Sequence, residues 1–128
     1  NPYYKGCIKN KDVSVICHTY SEKQKHICVF EGFMDFLSFM TLCRKGNTCI
    51  CIDGKIDVLV MNSVANLRKS LEYLSQYDEI HCYLDNDLAG QKTVETFVGL
   101  FGENVKDESG KYAEYKDLND LLRGRKHP

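Results

Sequence analysis

Two carboxylates one residue apart, Asp85 and Asp87, follow an apolar run at residues 80–84. A run of this kind fits a strand buried in a parallel sheet, and Ala89 and Gly90 then lead into a predicted helix. Binding sites in open α/β sheets form beyond the carboxyl ends of the strands. The two acids therefore lie where a hard cation would be held, and magnesium prefers such oxygen ligands.

A third acid, Glu31, ends a second apolar run at residues 27–30. Gly32 follows it, and apolar residues at helical spacing predict a helix over residues 33–44, with Asp35 in its first turn. If both strands end at the same edge of the sheet, Glu31 and Asp35 lie close to the Asp pair. Carboxylates that close repel one another, and a bound cation is the simplest relief.

Each acid also has a purely structural interpretation. The Asp pair could form only a turn or a helix cap, and Asp35 could stabilise a helix N-terminus through the helix dipole. Asp117, before a short predicted helix, could be an N-cap or a further metal ligand. A calcium-binding EF-hand loop is excluded at residue 85 onward, because Thr96 stands where that loop needs a bidentate glutamate.

The rest of the chain alternates strands and helices, which predicts an α/β fold of roughly four mainly parallel strands with helices on both faces. Two further features are expected: a short edge strand at Val105, and a strand at residues 48–52 that ends in an Asp53-Gly54 hairpin turn. The remaining predicted strands cover residues 13–17 and 58–61, and the remaining helices begin near Leu67, Leu88 and Leu118.

The amino-acid composition of the chain argues against some classes of function. The 128 residues fit one domain, 43% of them are hydrophobic, and the net charge of −1 argues against a basic nucleic-acid binder. Seven cysteines lie mostly in apolar runs without a Cys-x-x-Cys pair, so we expect free thiols in a reducing compartment and no zinc site in the chain. His81 is expected to be a core or edge residue of its strand and not a ligand, and His26 has no notable spacing.

Three short stretches, at residues 31–35, 83–90 and 116–120, resemble the motifs of the Toprim domain. This domain occurs in DnaG-type bacterial primases, topoisomerases and some nucleases. The first stretch resembles the primase motif Glu-Gly-Tyr-Met-Asp, the second resembles Asp-Gly-Asp-x-Ala-Gly, and the third resembles Lys-Asp-Pro-Asp-Glu. The third departs from its motif at Asn119, where the family has Asp.

The resemblance implies the Toprim fold and nucleotidyl transfer by a DNA primase that assembles RNA primers on single-stranded DNA from nucleoside triphosphates. It implies Mg²⁺ or Mn²⁺ held by Asp35, Asp85 and Asp87, with Glu31 as a ligand or general base and Asp117 as a further candidate ligand. Because an amide is a poorer cation ligand than a carboxylate, Asn119 puts a third metal position in doubt. The implied partners also include upstream basic and zinc-binding domains and a helicase.

The expected organisation is a linker from a preceding domain at residues 1–12, a Toprim catalytic domain at 13–122 and a basic, mobile tail at 123–128. No signal peptide or membrane-spanning run is present, so we expect part of a longer cytoplasmic protein with little activity as an isolated chain. Two alternatives remain. A Toprim nuclease or topoisomerase would use the same acids to cleave a phosphodiester, and a non-catalytic metal-binding module would keep only the fold.

Overall fold

A computed structural model of the protein describes residues 6–9, 14–17, 26–52, 56–63 and 66–126. Six strands in this part of the chain form one sheet in the order β1-β2-β4-β3-β5-β6. They are β1 (Gly6–Lys9), β2 (Ser14–Cys17), β3 (His26–Phe30), β4 (Asp57–Val60), β5 (Glu79–Tyr83) and β6 (Val105–Asp107).

The four strands β4, β3, β5 and β6 are parallel to their neighbours. This confirms the predicted four-stranded parallel sheet, including the edge strand at Val105. Strands β1 and β2 extend it on the other side in antiparallel pairing, β1 with β2 and β2 with β4. Antiparallel neighbours can be joined by a short connection, whereas parallel neighbours need a crossover.

Strand β1 lies inside residues 1–12, which the sequence analysis assigned to a linker. Gly6 pairs with Cys17, and Lys9 pairs with Ser14. Four residues are too few to show a clear alternation, so the sheet begins earlier than the sequence indicated. At the other end, the last helix includes Arg123, and Gly124 ends it in the left-handed conformation that glycine adopts most easily.

The helices lie on both faces of the sheet, as predicted. Helix α1 (Phe33–Arg44) and helix α4 (Leu118–Arg123) pack on one face, while helix α2 (Leu67–Leu74) and helix α3 (Leu88–Phe101) pack on the other. Successive residues of each central strand alternate between the two cores: Ile27 and Val29 face α2 and α3, whereas Cys28 and Phe30 face α1. Burial on both faces explains why these strands read as continuous apolar runs.

Residues 48–52 were predicted to form a strand, and this is wrong. They form turns that begin at Asn47, whose side-chain oxygen accepts the backbone N–H groups of Cys49 and Ile50. Ile50 is buried, and its carbonyl accepts the Tyr83 hydroxyl at 2.7 Å. The apolar alternation therefore reflects a packed loop, and Asp53-Gly54 lies outside the described residues.

The cysteines also differ from the expectation of free thiols. Cys43 and Cys51 form a disulfide that ties the end of α1 to this loop, while Cys28 and Cys82 are free and buried. In the described part of the chain, no helix has both the length and the apolar character needed to cross a bilayer.

Candidate metal centre

Strands β3 and β5 are parallel neighbours, and they bring the predicted acids to one edge of the sheet. Phe30 pairs with Tyr83 at the carboxyl end of this ladder. Glu31 follows Phe30 directly, and Asp85 comes two residues after Tyr83. The register therefore places the two carboxyl groups side by side.

The carboxyl groups of Glu31 and Asp85 lie close enough for each to shift the pKa of the other. A hydrogen bond between them requires that one of the two is protonated. Glu31 Oε1 and Asp85 Oδ1 are buried, and no donor among the described residues reaches either oxygen. Burial, followed by the nearby Asp85, raises the pKa of Glu31 to about 8. Burial is also the main cause of the raised pKa of Asp85.

Asp35 joins this pair from the first turn of α1, where its side chain is buried. One carboxylate oxygen accepts the backbone N–H of Asn119 at 3.3 Å. Burial, and then the charges of Asp117 and Asp85, raise the pKa of Asp35 to about 7. Asp35, Asp85 and Asp117 each offer one oxygen, and these three oxygens lie within 4.8 Å of one another.

Asp117 and Asp87 are both helix N-caps. Asp117 Oδ1 accepts the backbone N–H of Asp120 at 2.8 Å, and Asp87 Oδ1 accepts that of Gly90 at 2.8 Å. Each therefore uses one oxygen for a helix and has another for a different partner. The sequence left open whether Asp117 is a helix cap or a metal ligand, and in the structure it can be both. Asp87 is not in the three-acid group, although its charge raises the pKa of Glu31 and Asp85.

Gly90 lets α3 approach the strand end. A Cβ atom at this position would lie 2.1 Å from the backbone oxygen of Asp85, which no real side chain tolerates. The small-residue turn seen in the sequence is therefore a close contact between the helix and the backbone that presents Asp85.

Asn86 holds the loop that carries Asp117, and sequence reasoning missed it. Its side-chain amide donates to the carbonyls of Tyr115 at 2.9 Å, Tyr112 at 3.1 Å and Ser109 at 3.3 Å. Its backbone N–H donates to the carbonyl of Lys116 at 2.6 Å. An amide between two aspartates is the only sequence signal, since a carboxylate there could not donate to carbonyls.

Asn119 contacts helix α1 through its side chain. Ser38 Oγ donates to Asn119 Oδ1 at 3.3 Å, while the backbone N–H of Asn119 reaches Asp35. The residue that replaces the Asp of the primase motif thus links α4 to α1 beside the acids.

The donor set fits a hard divalent cation. The converging ligand atoms are carboxylate oxygens, which suit Mg²⁺ and Mn²⁺ better than softer metals. Lys116 lowers the pKa of Asp85, yet burial and the other acids still leave that pKa raised. Buried carboxyl oxygens without donors are what a cation would satisfy.

Comparisons with known proteins agree with the fold described above. The family model described as Toprim-like matches residues 28–122. The crystal structure of the primase fragment of the bacteriophage T7 primase-helicase protein is similar, with a TM-score of 0.55 and 20% sequence identity. The match covers 91% of this chain and 54% of that one, so this chain spans about half the length of the fragment. At this identity the likeness shows the fold alone. A search of curated proteins finds no match.

Proposed function

The chain belongs to the Toprim-like family, and on that premise we propose that it is the catalytic domain of a DNA primase. Its reaction is magnesium-dependent nucleotidyl transfer, which makes RNA primers on single-stranded DNA. The observation that carries the proposal is the group of buried and half-buried acids, above all the two buried carboxyl oxygens of Glu31 and Asp85 that no donor among the described residues reaches.

Asp35, Asp85 and Asp87 are the proposed ligands of Mg²⁺ or Mn²⁺, and Asp117 is a further candidate because it shares the three-acid group. When bound, the cation neutralises triphosphate charge and helps to activate the attacking hydroxyl. Glu31 is a ligand or the general base.

The partners follow from the same proposal. The substrates are a single-stranded template and nucleoside triphosphates, in a cytoplasmic setting. With a net charge of −1, the chain supplies little electrostatic attraction for a DNA backbone. The grip on the template therefore comes from upstream basic and zinc-binding domains, with a helicase as a further partner. The similar T7 fragment comes from a primase-helicase protein.

The test is primer synthesis by the full-length protein with template, nucleoside triphosphates and saturating magnesium. Glu31→Gln should reduce primer yield at least about 100-fold, because it removes a charge and a proton acceptor without removing packing volume. Glu95→Gln, on the exposed side of α3, makes the same chemical change away from the acids and should leave the yield unchanged.

Circular dichroism confirms that both variants fold. Near-normal primer yield from Glu31→Gln contradicts the assignment. Magnesium-dependent nicking of labelled DNA without primer formation would instead show the phosphodiester-cleaving alternative.

A further inference from the structure

A second group of ligand atoms lies near the amino ends of β3 and β5, away from the acids at the carboxyl ends. His26 begins β3, Glu79 begins β5, and these two residues pair directly in the parallel ladder. His81 lies two residues further along β5, so it points to the same face of the sheet as Glu79. From His26 to Glu31 the strand spans roughly 16 Å, so the two groups are separate.

The three side chains converge on one point. His26 Nδ1 lies 2.8 Å from Glu79 Oε2 and 3.3 Å from His81 Nε2. One ligand atom from each residue fits within 4.8 Å of the others. Two donors bound to a tetrahedral zinc ion at about 2.0–2.1 Å are about 3.3 Å apart, so the two imidazole nitrogens already have zinc-like spacing.

The orientation of His81 is fixed by a second carboxylate. Its other ring nitrogen, Nδ1, lies 3.3 Å from Glu108 Oε2, and Lys111 Nζ holds the same oxygen at 3.1 Å. His81 and Glu108 are both largely buried. Histidine ligands of metals usually donate the ring N–H that faces away from the metal to a carboxylate in this way, which fixes the tautomer.

The hydrogen bonding leaves an excess of lone pairs at the point of convergence. If His81 Nδ1 donates to Glu108, the neutral ring presents a lone pair at Nε2 towards His26. His26 Nδ1 carries at most one proton, yet it faces two acceptors, His81 Nε2 and Glu79 Oε2. A cation placed among the three atoms would satisfy all of them at once.

We propose that His26, Glu79 and His81 bind one zinc ion, with Glu108 as the positioning residue for His81. Imidazole nitrogen together with one carboxylate suits zinc, whereas magnesium prefers oxygen ligands alone. Three protein ligands leave the fourth tetrahedral position open to water or to another ligand. The ion would cross-link β3 and β5 at their amino ends.

The experiment is a zinc titration of tag-free protein by calorimetry, with excess magnesium present so that hard oxygen sites elsewhere do not take up zinc. We expect one zinc per chain and a melting temperature that rises with zinc. His26→Gln and Glu79→Gln change partly exposed side chains and should weaken binding at least about 10-fold. Glu108→Gln should weaken it by about 10–100-fold, because it removes the support of a ligand.

Matched controls separate this site from others. His127→Gln and Glu95→Gln remove one histidine or one glutamate elsewhere in the chain and should leave zinc affinity unchanged. Cobalt in place of zinc should give the visible absorption of a tetrahedral ion without a thiolate charge-transfer band, which excludes the cysteines as ligands. Failure of the wild-type protein to bind zinc, or wild-type affinity in both His26→Gln and Glu79→Gln, overturns the proposal.

Discussion

Two sites on the sheet hold carboxyl groups in opposite electrostatic states: the acids at the carboxyl ends of β3 and β5, and Glu108 beside His81. At the carboxyl end, the pKa of Glu31 is raised to about 8 and that of Asp35 to about 7. Beside His81, in the middle of β5, the hydrogen bond from His81 is the largest of the effects that lower the pKa of Glu108, which directly follows β6. The sheet thus carries acids that favour a proton at the carboxyl ends of β3 and β5, and one acid, Glu108, that favours the charged form beside His81.

The difference lies in the neighbours, since both sites include a buried or largely buried carboxyl group. Glu31 faces Asp85, Asp87 and Asp35, so its negative charge is opposed on every side. Glu108 instead lies between His81 and Lys111, which stabilise its charge. A group of acids without balancing cations destabilises the folded state and is retained where it binds a ligand, whereas a balanced group can stabilise the fold by itself.

The largest expected effect comes from the close contact that presents Asp85. Gly90→Ala places a methyl group 2.1 Å from the Asp85 carbonyl, so backbone must move. We expect a loss of about 3 kcal/mol, as for severe overpacking, and a melting temperature lower by on the order of 10 °C. Gly99→Ala, in the same helix with open space around it, should instead stabilise by about 0.5–1 kcal/mol.

Thermal unfolding of the two glycine variants checks this contrast. Gly90→Ala should also weaken the response of the melting temperature to magnesium, because Asp85 moves. Equal melting temperatures for the two variants would show that α3 does not press on the carboxyl end of β5.

The next effect concerns repulsion among the acids. Asp85→Asn combined with Asp87→Asn should melt about 3–6 °C higher than wild type without metal, because it removes repulsion worth about 1 kcal/mol. Asparagine still caps α3 at position 87. Added magnesium should raise the melting temperature of wild type but not of this variant.

Glu79→Gln, at the other end of the strands, is the control and should keep the full magnesium response. An unchanged response in the double Asp variant would mean that the metal binds elsewhere, and the contrast between the two sites would lose its functional meaning.

Much of the carboxyl end could be predicted because its signals are local. Apolar runs that end in Glu31 and Asp85 identify the strands, and parallel strands must end at one edge of the sheet. The loop before α4 could not be predicted in this way. Asn86 joins it through carbonyls 23 to 29 residues away, and backbone carbonyls carry no sequence signal.

The group of His26, Glu79 and His81 was not predicted from the sequence for a related reason. His26 and His81 are separated by 55 residues and meet only through the β3–β5 register. The search for zinc ligands relied on Cys-x-x-Cys spacing, which detects only ligands that are close in sequence. The apolar alternation at residues 48–52 led to the wrong prediction of a strand. Ile50 is buried because its loop is held to Tyr83, and not because of strand pairing.

The pH dependence of stability should differ in sign between the acids at the carboxyl ends of β3 and β5 and Glu108 beside His81. Glu31 and Asp35 have folded-state pKa values above their ordinary values of 4.5 and 3.8. Between about pH 4.5 and 8 the folded state therefore holds more protons than the unfolded state, so the free energy of unfolding falls as the pH rises. Glu108 has a lowered pKa, so its contribution is present above about pH 4.5 and is lost on further acidification.

Denaturant unfolding across this pH range, with a chelator present, measures both effects as differences from wild type. Glu31→Gln should flatten the decline above pH 4.5, and Glu108→Gln should reduce the loss below it. A wild-type slope above pH 4.5 in Glu31→Gln would show that protonation of Glu31 does not control that range.

The smallest expected effect concerns Asn119, at the border of the acid group. Asn119→Ala removes the contact with Ser38 Oγ at 3.3 Å but keeps the backbone N–H that reaches Asp35. We expect a loss of about 0.5–1.5 kcal/mol, the usual net value of one hydrogen bond. The magnesium response of the melting temperature should stay intact, and primer yield should fall far less than in Glu31→Gln, because an amide offers a cation only a dipole. Ser38→Ala removes the same contact from the other side together with the hydrogen bond from Ser38 Oγ to the Met34 carbonyl at 2.8 Å, so it should lose at least as much stability. If both variants lose stability and keep the magnesium response, Asn119 acts through the packing of α1 against α4. If Asn119→Ala alone loses that response, the side chain of Asn119 belongs to the metal site. Asn119 is then a metal ligand and not only a residue that supports the ligands.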